Sequence, residues 1–132
     1  MTTDTQKTVL LVDDDSDFRF QQRTQLEAAG YKILEANSYA RALELLAENR
    51  PDIALVDLMM EQFDAGFTLC YRIKQKDSTI PVVMITSVAS ETGLEFDAAT
   101  EEERSWVKAD VLLTKPVRFE QLQREINRLL KG

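Results

Sequence analysis

The stretch TVLLVDDD, residues 8–15, places a continuous apolar run directly before three aspartates. A second stretch, IALVD at residues 53–57, ends its apolar run in a single aspartate. Runs that are apolar throughout, rather than at every second position, are typical of strands covered on both faces, as in a parallel sheet. The two stretches therefore predict two buried strands that each end in carboxylates.

Three further apolar runs lie at residues 31–34, 80–85 and 111–113, and the first of these alternates as an edge strand does. Predicted helices separate or follow the strands, and they cover residues 16–29, 38–50, 66–76, 101–109 and 118–130. Parallel strands need crossover connections of this kind. The alternation predicts an α/β fold: a flavodoxin-like (βα)5 three-layer sandwich whose parallel five-stranded sheet has the order 2-1-3-4-5.

Composition limits the classes of function open to the chain. Its 132 residues carry a net charge of −7, and this acidic balance disfavours binding to nucleic acid, which needs clustered basic residues. The absence of His excludes His-dependent catalysis and His-ligated metal sites. No apolar run approaches the ~20 residues that span a bilayer, and residues 1–7 lack the apolar stretch of a signal peptide. A cytoplasmic protein with no membrane partner is therefore predicted.

The carboxylates at the strand ends predict a metal site. In open α/β sheets, ligands bind beyond the carboxyl ends of the strands, where the strand order reverses. In the predicted order that point lies between strands 1 and 3, which lead into Asp13 and Asp57. Two carboxylates about 4.5 Å apart repel by roughly 3–4 kcal/mol at an effective dielectric constant of ~20, so a cluster requires a proton or a cation. Ligands that are all oxygen favour a hard divalent ion, and Mg²⁺ is the predicted cofactor.

Strands 4 and 5 end at the same edge of the predicted sheet and add two other kinds of group. Thr86 and Ser87 supply hydroxyl donors, and Lys115 supplies a positive charge that faces the carboxylates. An acidic pocket with a cation, a hydroxyl and an ammonium can stabilise a phosphoryl group on an aspartate. The inventory therefore indicates phosphoryl chemistry.

Four segments resemble, in order and over nearly the whole chain, the signature of response-regulator receiver domains of two-component signalling: residues 11–15, 57–60, 85–87 and 114–117. The resemblance implies that Asp57 accepts a phosphoryl group from a histidine kinase or a phosphotransfer protein. Thr86 would bond the phosphoryl oxygen and Lys115 would pair with it. The domain would catalyse only its own phosphorylation and dephosphorylation, and it would signal to a protein partner by conformational switching.

The resemblance also implies a set of Mg²⁺ ligands. Asp14 would be a direct ligand and Asp13 would act largely through water, while Asp57 and the backbone carbonyl of Met59 complete the protein ligands. Residues 1–132 are then expected to form a single receiver domain of the stand-alone type, with no output domain.

Other interpretations of the same residues stay open. The aspartates at 13–15 are also typical of a cap for the first helix. The chain also fits an interaction module that keeps the receiver fold and signals without phosphorylation. A flavin-binding protein is disfavoured, because three aspartates in place of a phosphate-binding loop would repel the flavin phosphate. A phosphatase with a nucleophilic aspartate would need a second aspartate where Met59 stands.

Three features depart from the pattern of receiver domains. Leu112 occupies the position, three before the lysine, where the family usually has an aromatic side chain. The segment between Thr86 and Lys115 is longer than usual, and residues 87–100 are hypothesised to become ordered when Thr86 engages the phosphoryl group. The glycine that usually follows the phosphoacceptor loop is displaced by one position, to Gly66.

Overall fold

The computed structural model describes residues 6–57, 65–86, 110–115 and 117–131. Within them, one parallel sheet has the strand order β2-β1-β3-β4-β5. The strands are β1 (Thr8–Val12), β2 (Lys32–Ala36), β3 (Ile53–Asp57), β4 (Val82–Thr86) and β5 (Val111–Thr114). The predicted α/β class and the order 2-1-3-4-5 are thereby confirmed. The helix predicted at 101–109 and the segment 87–100 lie outside the described residues.

The described residues form four helices: α1 (Ser16–Ala28), α2 (Tyr39–Glu48), α3 (Ala65–Lys76) and α4 (Phe119–Lys131). The side chain of Asp15 caps α1 by accepting hydrogen bonds from two backbone amides of its first turn. Ser38 caps α2 in the same way, through the amide of Arg41 at 3.1 Å. None of the helices in this part of the chain is long and apolar enough to cross a membrane.

Apolar side chains cover both faces of the sheet, which explains the continuous apolar runs in the sequence. Neighbouring residues of a strand point to opposite faces, so Leu10 packs in one cluster with Leu46 and Ile73, on the side of α2 and α3. Val9 and Leu11 pack in the other cluster, whose further buried members are Leu26, Ile53, Leu55, Val83, Ile85, Leu113, Leu122 and Ile126. All five residues of β3 are buried.

Strand β2 lies at the sheet edge, as its alternating pattern predicts, but it ends two residues later than predicted. The additional residues are Glu35 and Ala36, and Glu35 is acceptable in the strand because it is paired with two arginines of α1. Helix α1 buries one polar side chain on the sheet side. Gln22 is 3% exposed, whereas the apolar Ala29 just after the helix is exposed.

Ion pairs connect the loops at the amino ends of the strands. The ammonium of Lys74 lies 2.8 Å from Oδ2 of Asp110 and also donates to the carbonyl of Ile80 at 2.8 Å. The same carboxylate oxygen accepts a hydrogen bond from the amide of Val82 at the start of β4. These contacts hold the end of helix α3 against the beginnings of β4 and β5.

A second ion pair at this edge joins the segments that follow α2 and α3. Asp77 accepts a 2.6 Å hydrogen bond from the hydroxyl of Thr79 and another of 2.6 Å from Nε of Arg50. These contacts hold the pKa of the Asp77 carboxyl well below its usual range. The amino edge of the sheet thus contains carboxylates that each have a cationic partner.

Candidate functional site

Three carboxylates converge at the carboxyl ends of β1 and β3. Asp13 directly follows β1, Asp57 is the last residue of β3, and the two strands are hydrogen-bonded neighbours. One carboxylate oxygen from each of Asp13, Asp14 and Asp57 lies within 4.8 Å of the other two. Asp13 is 1% exposed and Asp57 is 5% exposed, whereas Asp14 is open to solvent. The cluster is therefore buried on one side and accessible on the other.

Each of the three consecutive aspartates has a different environment. Oδ1 of Asp13 accepts a 2.9 Å hydrogen bond from the amide of Asp15, and this contact orients the buried carboxylate. Asp14 presents its carboxylate at the exposed side of the cluster. Asp15 itself caps α1, as the sequence also suggested for this stretch. The capping interpretation is thus correct for Asp15, whereas Asp13 and Asp14 belong to the carboxylate cluster.

Lys115 supplies the positive charge that such a cluster requires. Its Nζ lies 3.0 Å from Oδ2 of Asp13, and its side chain is 18% exposed. The residue follows β5, which brings it to the same end of the sheet as the aspartates. A charge-assisted bond to a buried carboxylate is among the stronger hydrogen bonds in proteins. The ammonium therefore acts as an internal counter-ion of the acidic cluster.

Phe18 is a contact of Lys115 that the sequence did not point to. The Lys115 ammonium lies 4.2 Å from the centroid of the Phe18 ring, well within the range of a cation–π interaction. In the sequence, Phe18 is only an apolar residue at the start of a helix. Its proximity to the lysine depends on how α1 packs, and spacing along the chain does not encode that.

Arg19 is the second residue that sequence reasoning missed. Its Nη1 donates a 2.7 Å hydrogen bond to the backbone carbonyl of Asp13, while its Nε donates to Glu35 at 2.8 Å. Glu35 also accepts from Nη1 of Arg23 at 2.9 Å. Because the guanidinium is a rigid planar group with several donors, it can hold both partners at once. Arg19 thus links the loop that carries Asp13 to the edge strand β2.

Of the remaining predicted residues, the structure describes some and leaves others outside the described ranges. Thr86 is the last residue of β4 and lies in register with Thr114 of β5, so its backbone is at the same edge as the acidic cluster. Met59 and Ser87 lie outside the described residues. Leu112 is half-buried and packs against the apolar cluster on the side of α2 and α3.

The described residues fit a Mg²⁺ ion. Octahedral Mg²⁺ takes oxygen ligands at about 2.1 Å, which sets its ligand oxygens about 3 to about 4.2 Å apart. Three carboxylate oxygens that already lie within 4.8 Å of one another need only a small contraction, or one intervening water, to meet that requirement. The exposed side chain of Asp14 leaves room for the waters that Mg²⁺ retains.

Comparison with known proteins gives one consistent family. Residues 9–127 match the response regulator receiver domain family. The heme response regulator HssR of Staphylococcus haemolyticus is 36% identical over 123 residues, which are 92% of this chain and 50% of HssR. The chain spans about half the length of the curated relatives it matches, between 47% and 52%.

Solved structures share the fold. A receiver domain protein from Methanospirillum hungatei superposes with a TM-score of 0.80 at 22% identity, covering 96% of this chain and 95% of its own. The response regulator TrrA of Thermotoga maritima, solved in complex with Mg²⁺-BeF, gives a TM-score of 0.75 at 24% identity and covers 93% and 98%. The matched residues span nearly the whole sheet and the acidic edge. The chain therefore belongs to the family of response regulator receiver domains, the domains of two-component signalling.

Proposed function

We propose that this receiver domain accepts a phosphoryl group on Asp57 from the phosphohistidine of a kinase or phosphotransfer protein, in a reaction that depends on Mg²⁺. The observation that carries the proposal is the group of charges at the carboxyl edge of the sheet. Asp57 ends the buried strand β3, two further carboxylates lie within 4.8 Å, and a lysine ammonium contacts one of them.

The transfer exchanges one bond to phosphorus for another. A carboxylate oxygen of Asp57 forms the new bond to phosphorus, and the bond between phosphorus and the imidazole nitrogen of the donor breaks. The imidazole retains the electron pair and takes up a proton. Asp57 suits this task because its backbone is held in the middle of the sheet, which fixes the attacking oxygen relative to the other groups.

The surrounding side chains have roles that follow from the charge of the product. A phosphoryl group adds a charge of about −1.5 to −2, which the acidic cluster alone would repel. Lys115 pairs with a phosphoryl oxygen, and the hydroxyl of Thr86 donates to another. Asp13, Asp14, Asp57 and the carbonyl of Met59 would hold Mg²⁺, which would supply positive charge to offset the carboxylates and the phosphoryl oxygens. TrrA, a protein of the same fold, was solved in complex with Mg²⁺-BeF, which supports the presence of a Mg²⁺ site in a domain of this fold.

The phosphoryl group acts as a signal rather than as an intermediate in metabolism. The domain catalyses its own phosphorylation and the hydrolysis of its aspartyl phosphate, and it shifts between two conformations that differ in affinity for a protein partner. This exchange takes place in the cytoplasm, where the kinase domains that use ATP are found.

Intact mass spectrometry after incubation with Mg²⁺ and a small-molecule phosphodonor tests the proposal. The chain is expected to gain one phosphoryl mass, and to gain none when Mg²⁺ is chelated. Asp57→Asn is expected to prevent the gain, whereas the matched control Asp17→Asn, an exposed residue of the first turn of α1, leaves it intact. No gain with several donors, together with no Mg²⁺ binding, would instead favour an interaction module that works without phosphorylation.

A further inference from the structure

Lys115 is held from two sides by groups of different chemistry. On one side lies Oδ2 of Asp13 at 3.0 Å, and on the other lies the face of the Phe18 ring, with its centroid 4.2 Å from Nζ. The carboxylate is expected from the charge of the cluster. The contact with the ring is not expected from the charge of the cluster, because an apolar side chain at this position could equally well pack against the core alone.

Phe18 is fixed in place by the rest of the fold. It belongs to the first turns of α1, whose start is set by the cap of Asp15, and the amide of Phe18 itself donates to that cap at 3.3 Å. The ring is half-buried and packs against the apolar cluster between the sheet and α4. A ring held by a helix cap and by the core offers a preorganised surface to the ammonium.

The cation–π contact has a consequence that an ion pair lacks. A lysine ammonium has three N–H donors, and one of them is directed to Asp13. The aromatic face attracts the ammonium through its quadrupole and does not require a directed hydrogen bond. The ring can therefore restrain the flexible side chain of Lys115 while the remaining donors stay available for oxygens that arrive at the site.

We propose that Phe18 is a positioning residue: its aromatic face holds the Lys115 ammonium at the acidic edge so that the lysine is already in place when the phosphoryl group arrives. The inference rests on the proposed phosphorylation of Asp57 and deepens it. It assigns to α1 a part in the phosphoryl site that neither the acidic signature nor the lysine signature contains. Phe18 acts through Lys115 and does not itself contact the phosphoryl group.

A set of variants separates the aromatic face from simple packing. Phe18→Leu keeps an apolar side chain but removes the ring, Phe18→Trp keeps a ring face, and a ring-fluorinated phenylalanine keeps the shape while it weakens the negative face. Phe20→Leu is the matched control, because Phe20 is on the same helix and is 61% exposed. Phe18→Leu is expected to slow phosphorylation by a small-molecule donor about five-fold, the factor equivalent to one cation–π contact.

Rescue by the aromatic variant is the decisive comparison. Phe18→Trp is expected to retain most of the wild-type rate, and the fluorinated ring to give a rate between those of wild type and Phe18→Leu. Equal rates in the leucine, tryptophan and fluorinated variants would overturn the proposal, since packing alone would then account for Phe18.

Two readouts on the unphosphorylated protein are independent of the reaction. The Hε protons of Lys115 are expected to resonate upfield in wild type, because they lie over the ring, and to lose that shift in Phe18→Leu. A double-mutant cycle of Phe18→Leu with Lys115→Met is expected to show a coupling of about three- to five-fold in the unfolding equilibrium constant. Zero coupling with an unshifted Lys115 signal would disprove the contact. Failure of the wild type to take up a phosphoryl group would instead count against the proposed function, with the contact measured separately.

Discussion

Arg19 donates a 2.7 Å hydrogen bond from its guanidinium to the backbone carbonyl of Asp13. The contact is made to the main chain of the residue whose side chain enters the acidic cluster, so it acts on the loop as a whole. The same guanidinium is anchored on the edge strand by Glu35 at 2.8 Å. The position of the Asp13 carboxylate thus depends on an ion pair that lies outside the cluster.

Replacing Arg19 with leucine is expected to weaken both folding and metal binding. The substitution leaves the Asp13 carbonyl without this donor, and loss of a charge-assisted hydrogen bond costs about 2 kcal/mol in the free energy of unfolding. The Mg²⁺ affinity should fall several-fold because the loop is no longer held. Urea denaturation and a Mg²⁺ titration measure the two effects. The matched control is Arg23→Leu, which also removes a partner of Glu35 but no contact to Asp13. Equal Mg²⁺ affinities in the two variants would contradict this role of Arg19.

Replacing Lys115 with methionine should destabilise the chain chiefly when Mg²⁺ is absent. The buried carboxylate of Asp13 then loses its ammonium partner, which is expected to lower the free energy of unfolding by about 1–3 kcal/mol. Saturating Mg²⁺ should restore most of this loss, and the Mg²⁺ affinity should rise because the metal no longer competes with the lysine. Lys32→Met removes the same charge from an exposed position at the other end of the sheet and should do neither. Equal destabilisation by Lys115→Met with and without Mg²⁺ would refute the counter-ion role.

Asp77 should make stability depend on pH in the acidic range. Its folded-state pKa is lowered by Thr79 and Arg50, so the folded protein binds fewer protons than the unfolded chain, whose aspartates titrate near ~3.9. The stabilisation is present above about pH 4 and is lost as the pH falls toward the folded-state pKa. Thermal unfolding of wild type and Asp77→Asn at several pH values checks this. The variant should be less stable at pH 7, and the difference should shrink at low pH. A difference that does not change with pH would show that the carboxylate is not the source.

Gln22 offers a way to stabilise the domain. It is 3% exposed, and its Oε1 has no hydrogen-bond partner among the described residues. An unsatisfied buried amide oxygen costs free energy, so an apolar side chain of similar length should be preferred at this position. Gln22→Met is expected to raise the free energy of unfolding by about 1 kcal/mol. The exposed neighbour in Gln21→Met serves as control, and chemical denaturation measures both. A loss of stability in Gln22→Met would show that the amide is in fact needed.

The fold could be predicted from sequence because its signal is carried by whole strands. Five apolar runs and the helices between them were sufficient for the strand order, since parallel strands with crossovers have few alternative topologies. The end of β2 was wrong by two residues because Glu35 looks unfavourable in a strand. Its partners Arg19 and Arg23 lie on a different element, and local pattern does not reveal them.

The candidate site could be predicted only where residues follow strand ends. The sequence placed Asp13, Asp57 and Lys115 at one edge, and the described structure has them there. Their chemical roles stay predictions, as do those of Thr86 and Met59. Phe18 could not be predicted, because its contact with Lys115 comes from the packing of α1. The spacing of residues along the chain does not show that a helix side chain will contact a loop at the end of a distant strand.

The two ends of the sheet differ in how their charged side chains contribute to the stability of the fold. At the amino end, Asp77 and Asp110 each lie against a cationic side chain. At the other end, three carboxylates lie within 4.8 Å of one another, and one of them pairs with Lys115. In terms of energy landscapes, the like-charge repulsion at the carboxyl end of the sheet is local frustration, whereas the ion pairs at the amino end stabilise the fold. A cation that binds at the carboxyl end would offset this repulsion and also stabilise the fold, so ligand affinity and folding stability would be thermodynamically linked.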